Sequence, residues 1–102
     1  MISVLAIITA KPGQRDKLLA EVRGNLAAVH AEKGCIEYAP VIDAPGLGSI
    51  ATPIGPDGFV MIEKWETLDD LKAHAVAPHM AAYAARTKDL VASRVIHVLS
   101  PA

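Results

Sequence analysis

The chain has 102 residues and a mass of 10.7 kDa, enough for one domain over residues 1–102 and too little for two. Ten Lys and Arg against eleven Asp and Glu give a net charge of -1, which leaves no basic excess for binding nucleic acid. The single cysteine, Cys35, excludes a disulfide framework and a cysteine-rich metal cluster, and no apolar run approaches the roughly 20 residues that span a bilayer. Met1–Ala10 lacks the basic lead of a signal peptide, so a cytoplasmic protein with no membrane contact is expected.

Ile2–Thr9 alternates as a strand, with Ile2, Val4, Ala6 and Ile8 on one face and Leu5 and Ile7 on the other. Both faces are apolar, so both should be covered. Lys11-Pro12-Gly13 is a turn. From Gln14 to about Lys33 the period becomes helical, with Leu18, Val22, Leu26 and Val29 in a stripe that Leu19 widens. Lys33-Gly34 is a helix stop signal. Cys35–Asp43 returns to strand character, and Pro40 marks an edge or a bulge. Ala44–Gly58, with three prolines and four glycines, is a long loop.

Phe59–Trp65 is a strand with Phe59, Met61, Glu63 and Trp65 on one face and Val60, Ile62 and Lys64 on the other. Thr67 followed by Asp69 and Asp70 predicts a capped helix to about Ala75. Pro78 interrupts it but suits the first turn of a second helix, His79 to about Leu90. Its apolar stripe is Met80, Ala84, Thr87 and Val91. Arg94–Leu99 closes the chain as a strand.

The order β-α-β-β-α-β predicts an α+β, ferredoxin-like fold: a four-stranded antiparallel sheet with helices on one face. Residues are 52% hydrophobic but only 4% aromatic, so the core rests on Ala, Val, Ile and Leu. A domain this small buries only roughly 60–65% of its unfolded surface. The apolar excess therefore belongs on the bare sheet face, where a second copy would cover it, and a homodimer packed sheet to sheet is expected.

Several side chains have the character of a site. Glu63 and Trp65 are same-face neighbours; together they form either a cavity wall for an aromatic ligand or a core Trp beside a solvated Glu. His74 and His79 flank Pro78. Their spacing departs from the i, i+4 zinc pattern and no third ligand has suitable spacing, so no metal is expected. Either histidine could serve as a general base, or one could pack at the helix junction while the other is exposed. His79, Tyr83 and Arg86 share a helical stripe suited to an anionic or phenolic ligand, or to a partly wet helix face. Tyr38 falls near Trp65 across the sheet. His30 and His97 have a structural character, and nothing near Cys35 activates its thiol.

Gly34-Cys35, the strand end Glu63-Lys64-Trp65-Glu66, the run T-L-D-D-L-K-A-H-A-V-A-P-H over residues 67–79 and the terminal strand together resemble the antibiotic biosynthesis monooxygenase (ABM) domain, including quinol monooxygenase-like proteins. The resemblance implies a dimeric α/β barrel. It also implies oxidation of a phenolic, anthrone or hydroquinone-type molecule with O2, without metal or flavin. Relatives that bind or degrade haem, isomerise small molecules or only bind a ligand keep those alternatives open. Carried over by residue, it makes His74 or His79 the base and Arg86 the anion stabiliser. Trp65 becomes the stacking wall with Glu63 as the strand carboxylate; Tyr38 and Tyr83 join them at the substrate by their positions rather than by the resemblance. The loop 44–58 departs from the family's plain hairpin.

Overall fold

The computed structural model describes residues 1–102. Strands β1 (Ile2–Ala10), β2 (Cys35–Val41), β3 (Gly58–Trp65) and β4 (Val91–Leu99) are joined by helices α1 (Arg15–His30), α2 (Leu68–Ala75) and α3 (Pro78–Thr87). The sheet order is β2-β3-β1-β4 with every neighbouring pair antiparallel. β1 and β2 therefore run parallel with β3 between them, and β3 and β4 with β1 between them. This is the ferredoxin-like α+β fold expected from the element order.

Strand alternation sorts the side chains as their sequence pattern requires. Val4, Ala6 and Ile8 face the helices, opposite Glu63, Met61 and Phe59 on β3 and Val98, Ile96 and Arg94 on β4. Leu5 and Ile7 face outward beside Ile62, Val60, His97 and Val95. On α1, Leu18, Leu19, Val22 and Val29 are buried and Leu26 packs against the same core, which includes Phe59 and Trp65. The helix layer ends over β1, and the inner face of β4 stays exposed, with Ile96 and Val98 each about half accessible.

The boundaries have local causes. Helix α1 stops at His30, whose Nε2 lies 2.9 Å from the Tyr38 carbonyl oxygen and ties the helix end to β2. The Thr67 hydroxyl accepts from the Asp70 N–H at 3.1 Å, capping α2, and Pro78 occupies the first turn of α3. β4 starts at Val91, earlier than the apolar pattern suggests, because the ladder to β1 shifts register at Thr9/Ala10 and recruits Val91. Between β2 and β3, the Asp43 carboxylate accepts from the N–H groups of Ile54 and Gly55 at 2.8 and 2.9 Å. These bonds hold its carboxyl below the usual range. The Arg15 guanidinium donates to the carbonyls of Gly55 and Gly58 at 3.4 Å each, so the long loop is tied at both ends.

Gly34 closes the turn between α1 and β2. Its φ is +80°, its carbonyl accepts from the Glu66 N–H at 2.9 Å, and a Cβ there would collide with the Asp70 carboxylate. Gly34→Ala should therefore cost the left-handed penalty, about 1–2 kcal/mol, plus displacement of Asp70. A loss of at least about 2 kcal/mol in urea denaturation is the expected outcome.

Candidate active site

Between the inner sheet face and helices α2 and α3 lies a cavity of about 590 Å³. Val4, Ala6, Ile8 and Met61 form its floor; Leu71, Ala75, Met80, Ala81 and Ala84 form its roof. The polar groups reaching it are few: Tyr38, Glu63, Lys72, His74, Tyr83 and Arg94. A largely apolar chamber of this size with a few convergent polar groups is the usual form of a small-molecule site.

Trp65 is fully buried at the end of β3 and organises one end of this chamber. Its indole Nε1 donates to Glu63 Oε1 at 3.0 Å, and its ring lies against His74 with centroids 4.7 Å apart and planes 37° apart. Tyr38 meets the same imidazole edge-on at 5.4 Å. The aromatic pair and the imidazole thus form one packed block, with Trp65 behind the cavity wall. The Glu63 carboxyl is pushed above its ordinary value by burial, against the opposing pull of the Trp65 hydrogen bond and the nearby His74. Burial, then the neighbouring Glu63, likewise raises the Tyr38 phenol well above its ordinary value, so it stays protonated.

Glu32, in the turn after α1, gathers the two histidines. Its Oε2 lies 2.9 Å from His74 Nδ1 and 2.7 Å from His79 Nε2. The His79 contact is short for a nitrogen–oxygen hydrogen bond and the His74 contact is of ordinary length; both fall in the range of bonds to a carboxylate. The His74 side chain is nearly buried and lines the cavity; His79 is more exposed and does not. With Nδ1 engaged by Glu32, His74 Nε2 makes no hydrogen bond within the chain. Glu32, His74 and His79 also offer donor atoms within 4.8 Å of one another, a set of two nitrogens and a carboxylate that suits a borderline divalent cation. Here the three engage one another. Sequence spacing gave no sign of this third donor, because Glu32 reaches the histidines across 42 and 47 residues of chain.

The expected site residues therefore divide. Glu63, His74, Tyr38 and Tyr83 line one cavity; Trp65 and His79 lie directly behind it, on Glu63 and Glu32. Arg86 lies outside, with its Nε 2.9 Å from Glu21 Oε2 on the surface. The guanidinium at the cavity belongs to Arg94 on β4. No residue of the 44–58 loop lines the chamber.

The family model described as antibiotic biosynthesis monooxygenase matches residues 1–86. The chain belongs to this family. Among family relatives, the Escherichia coli (strain K12) protein named "Probable quinol monooxygenase YgiN" is 38% identical over 103 residues, covering 99% of this chain and 98% of its own. The crystal structure of PA3566 from Pseudomonas aeruginosa superimposes with a TM-score of 0.80 at 27% identity, covering 99% of this chain and 93% of that one. Rv0793 from Mycobacterium tuberculosis has the same fold, with a TM-score of 0.80 at 24% identity over 99% of this chain and 94% of that one. No helix of this family member is long and apolar enough to cross a membrane.

The raised Glu63 carboxyl has a consequence for stability. Folded, Glu63 holds its proton to higher pH than it does unfolded, so the folded state loses stability as pH rises through that window. Glu63→Gln keeps an acceptor for Trp65 and removes the buried charge. Thermal denaturation between about pH 4 and pH 8 should show the variant melting a few degrees above the wild type at neutral pH. The gap should close as pH falls to the ordinary carboxylate range.

Proposed function

We propose that this chain is a cofactor-independent monooxygenase that oxidises a phenolic, anthrone or hydroquinone-type molecule with O2, using His74 as general base. The observation that carries this reading is the pairing of His74 with Glu32. One ring nitrogen is held by a carboxylate at 2.9 Å, and the other is left unpartnered at an apolar chamber. The Escherichia coli relative, named "Probable quinol monooxygenase YgiN", supports the same chemistry.

Ground-state O2 is a triplet and reacts slowly with closed-shell molecules, so the substrate must first become a good one-electron donor. A neutral phenol or anthrone is a poor donor and its anion a good one. His74 Nε2 takes the proton, and the resulting imidazolium is stabilised by the Glu32 carboxylate on Nδ1. The anion passes one electron to O2, and the substrate radical and superoxide combine to form a C–O bond. The peroxide recovers the proton from His74. Loss of water then leaves a carbonyl, so one oxygen atom enters the product and the other leaves in water. A substrate filling the apolar chamber displaces solvent from around the anion. In this reading Glu32 is a positioning residue, His79 steadies Glu32 through the same carboxylate oxygen that holds His74, and Glu63 and Tyr38 orient the substrate hydroxyl. Trp65 supports them from behind, and Arg86 acts only at the surface.

The second part of the proposal is a homodimer formed through the outer sheet face. Leu5, Val95 and Leu99 are exposed there beside Ile7, Val60 and Ile62, an apolar surface that water covers poorly. Sedimentation should give the mass of two chains at micromolar concentration, and a paired Ile7→Glu, Val95→Glu variant should sediment as one.

The catalytic assignment is tested with an oxygen electrode and a hydroquinone or anthrone panel in metal-free buffer. His74→Ala should lower kcat by about 10²–10⁴-fold, the usual contribution of a general base. Glu32→Gln should lower kcat by less and leave KM nearly unchanged, since it disturbs the base and not the chamber. Undiminished turnover in His74→Ala would sink the assignment. Ligand binding with no oxygen consumption by the wild type would make the chain a binding protein.

A further inference from the structure

We propose that Arg94, assisted by Tyr83 on α3, forms an acid-binding subsite at the end of the cavity remote from His74, and that the ligand is a hydroxyaryl compound bearing a carboxylate well separated from its hydroxyl. The hydroxyaryl half of this statement rests on the proposed function. The acid half rests on the two side chains alone.

The register places them. Val98 and Glu63 both pair with Val4, whereas Arg94 and Phe59 both pair with Ile8, so Arg94 lies four residues along the sheet from the row of Glu63. At the strand rise that is about 13 Å. Arg94 is also two strands away from Glu63, about 10 Å more in the perpendicular direction. Both side chains line the same chamber, one at each end of its diagonal.

The charges at the Arg94 end do not cancel. Three charged groups act on the Tyr83 phenol: Arg94, Glu21 and Arg86. Glu21 and Arg86 are joined to each other at 2.9 Å. Arg94 takes part in none of the chain's three ion pairs and donates no side-chain hydrogen bond. The Tyr83 hydroxyl is likewise without a partner in the chain, although Tyr83 is more than half buried and lines the chamber. A guanidinium exposed at the chamber and a phenol within reach of its charge, both unpartnered, present a planar fork and one extra donor. That is the donor set for a carboxylate. Exposed apolar neighbours Ile96 and Val98 continue from Arg94 along β4, so an apolar ligand body can lie between the acid end and His74.

Lys72, on α2 at the rim of the chamber, is the competing cation. Like Arg94 it is exposed, but its ammonium is a point charge without the planar fork of a guanidinium.

The test is anaerobic calorimetry with 6-hydroxy-2-naphthoate, its methyl ester and 2-naphthol. Because binding is read without O2, the result does not depend on whether oxidation follows, and it stands apart from the His74→Ala result. The wild type should bind the acid about tenfold more tightly than the ester or the naphthol, and Arg94→Gln should remove that preference. Tyr83→Phe should reduce it about threefold with ester affinity unchanged. Equal binding of acid and ester by the wild type, or binding of none of the three at millimolar concentration, would overturn the proposal. So would a preference that survives Arg94→Gln and disappears in Lys72→Gln.

Discussion

Four alanines stand where a filled α+β core would carry larger side chains: Ala6 on the sheet, and Ala75, Ala81 and Ala84 on the helices above it. Protein interiors normally pack to crystal-like density, because each unfilled gap forfeits dispersion contacts on both of its walls. Replacing a buried leucine by alanine costs about 2–5 kcal/mol for this reason; here the chamber of about 590 Å³ is open along β4 and its helix alanines are exposed, so what is forgone is the burial that a filled layer would contribute. The offset comes from the other half of the same layer. There α1 presses Leu18, Val22 and Val29 against Phe59 and Trp65, and all five are essentially inaccessible. The scarcity of aromatic residues thus has a spatial meaning. The large rings are spent on one side of the sheet, and the small residues beside them leave room for a ligand.

The second constraint is polar. Hydrogen-bonding groups at the closed end of the chamber, away from β4, must be satisfied by one another. At that end the buried groups are joined in two short chains, Trp65 to Glu63 and His74 to Glu32 to His79, whereas Tyr83 and Arg94 carry no partner. The second chain ties the turn after α1 to both pieces of the broken helix. Pro78 makes the break, and the break allows His79 to turn back toward the carboxylate that already holds His74. Structural and chemical demands converge on one side chain: the carboxylate that anchors α2 and α3 also leaves a single imidazole nitrogen facing the chamber.

Much of this was readable from the sequence, for a definite reason. Alternation along a strand assigns faces whatever the fold, so Glu63 and Trp65 were neighbours before any tertiary contact was known. The strand and helix order then had only one well-populated arrangement to adopt. What could not be read were contacts between segments distant in the chain. Glu32 sits in a turn with no periodicity, and nothing in its neighbourhood announces two histidines more than forty residues away. The stripe of His79, Tyr83 and Arg86 illustrates the same limit. Its helical spacing is real, yet the three side chains meet Glu32, the chamber and Glu21 respectively. Helical spacing fixes relative angle, whereas the partner of each residue is fixed by the element packed beside it. Arg94 reaches the chamber by strand register, a relation visible only after β1 and β4 are paired.

That pairing also links the two faces of the sheet. β4 is an edge strand with β1 as its one strand neighbour. Its inner residues Arg94, Ile96 and Val98 form the open side of the chamber, and its outer residues Val95 and Leu99 belong to the bare apolar face. An edge strand held by one ladder and covered by helices on neither side is among the less constrained parts of a fold. Whatever covers the outer face must therefore also fix the wall against which a ligand rests. Burial of Val95 and Leu99 would hold Arg94 and Ile96 in register with Ile8 and Ala6, so the proposed assembly and ligand capture would act through the same nine-residue strand.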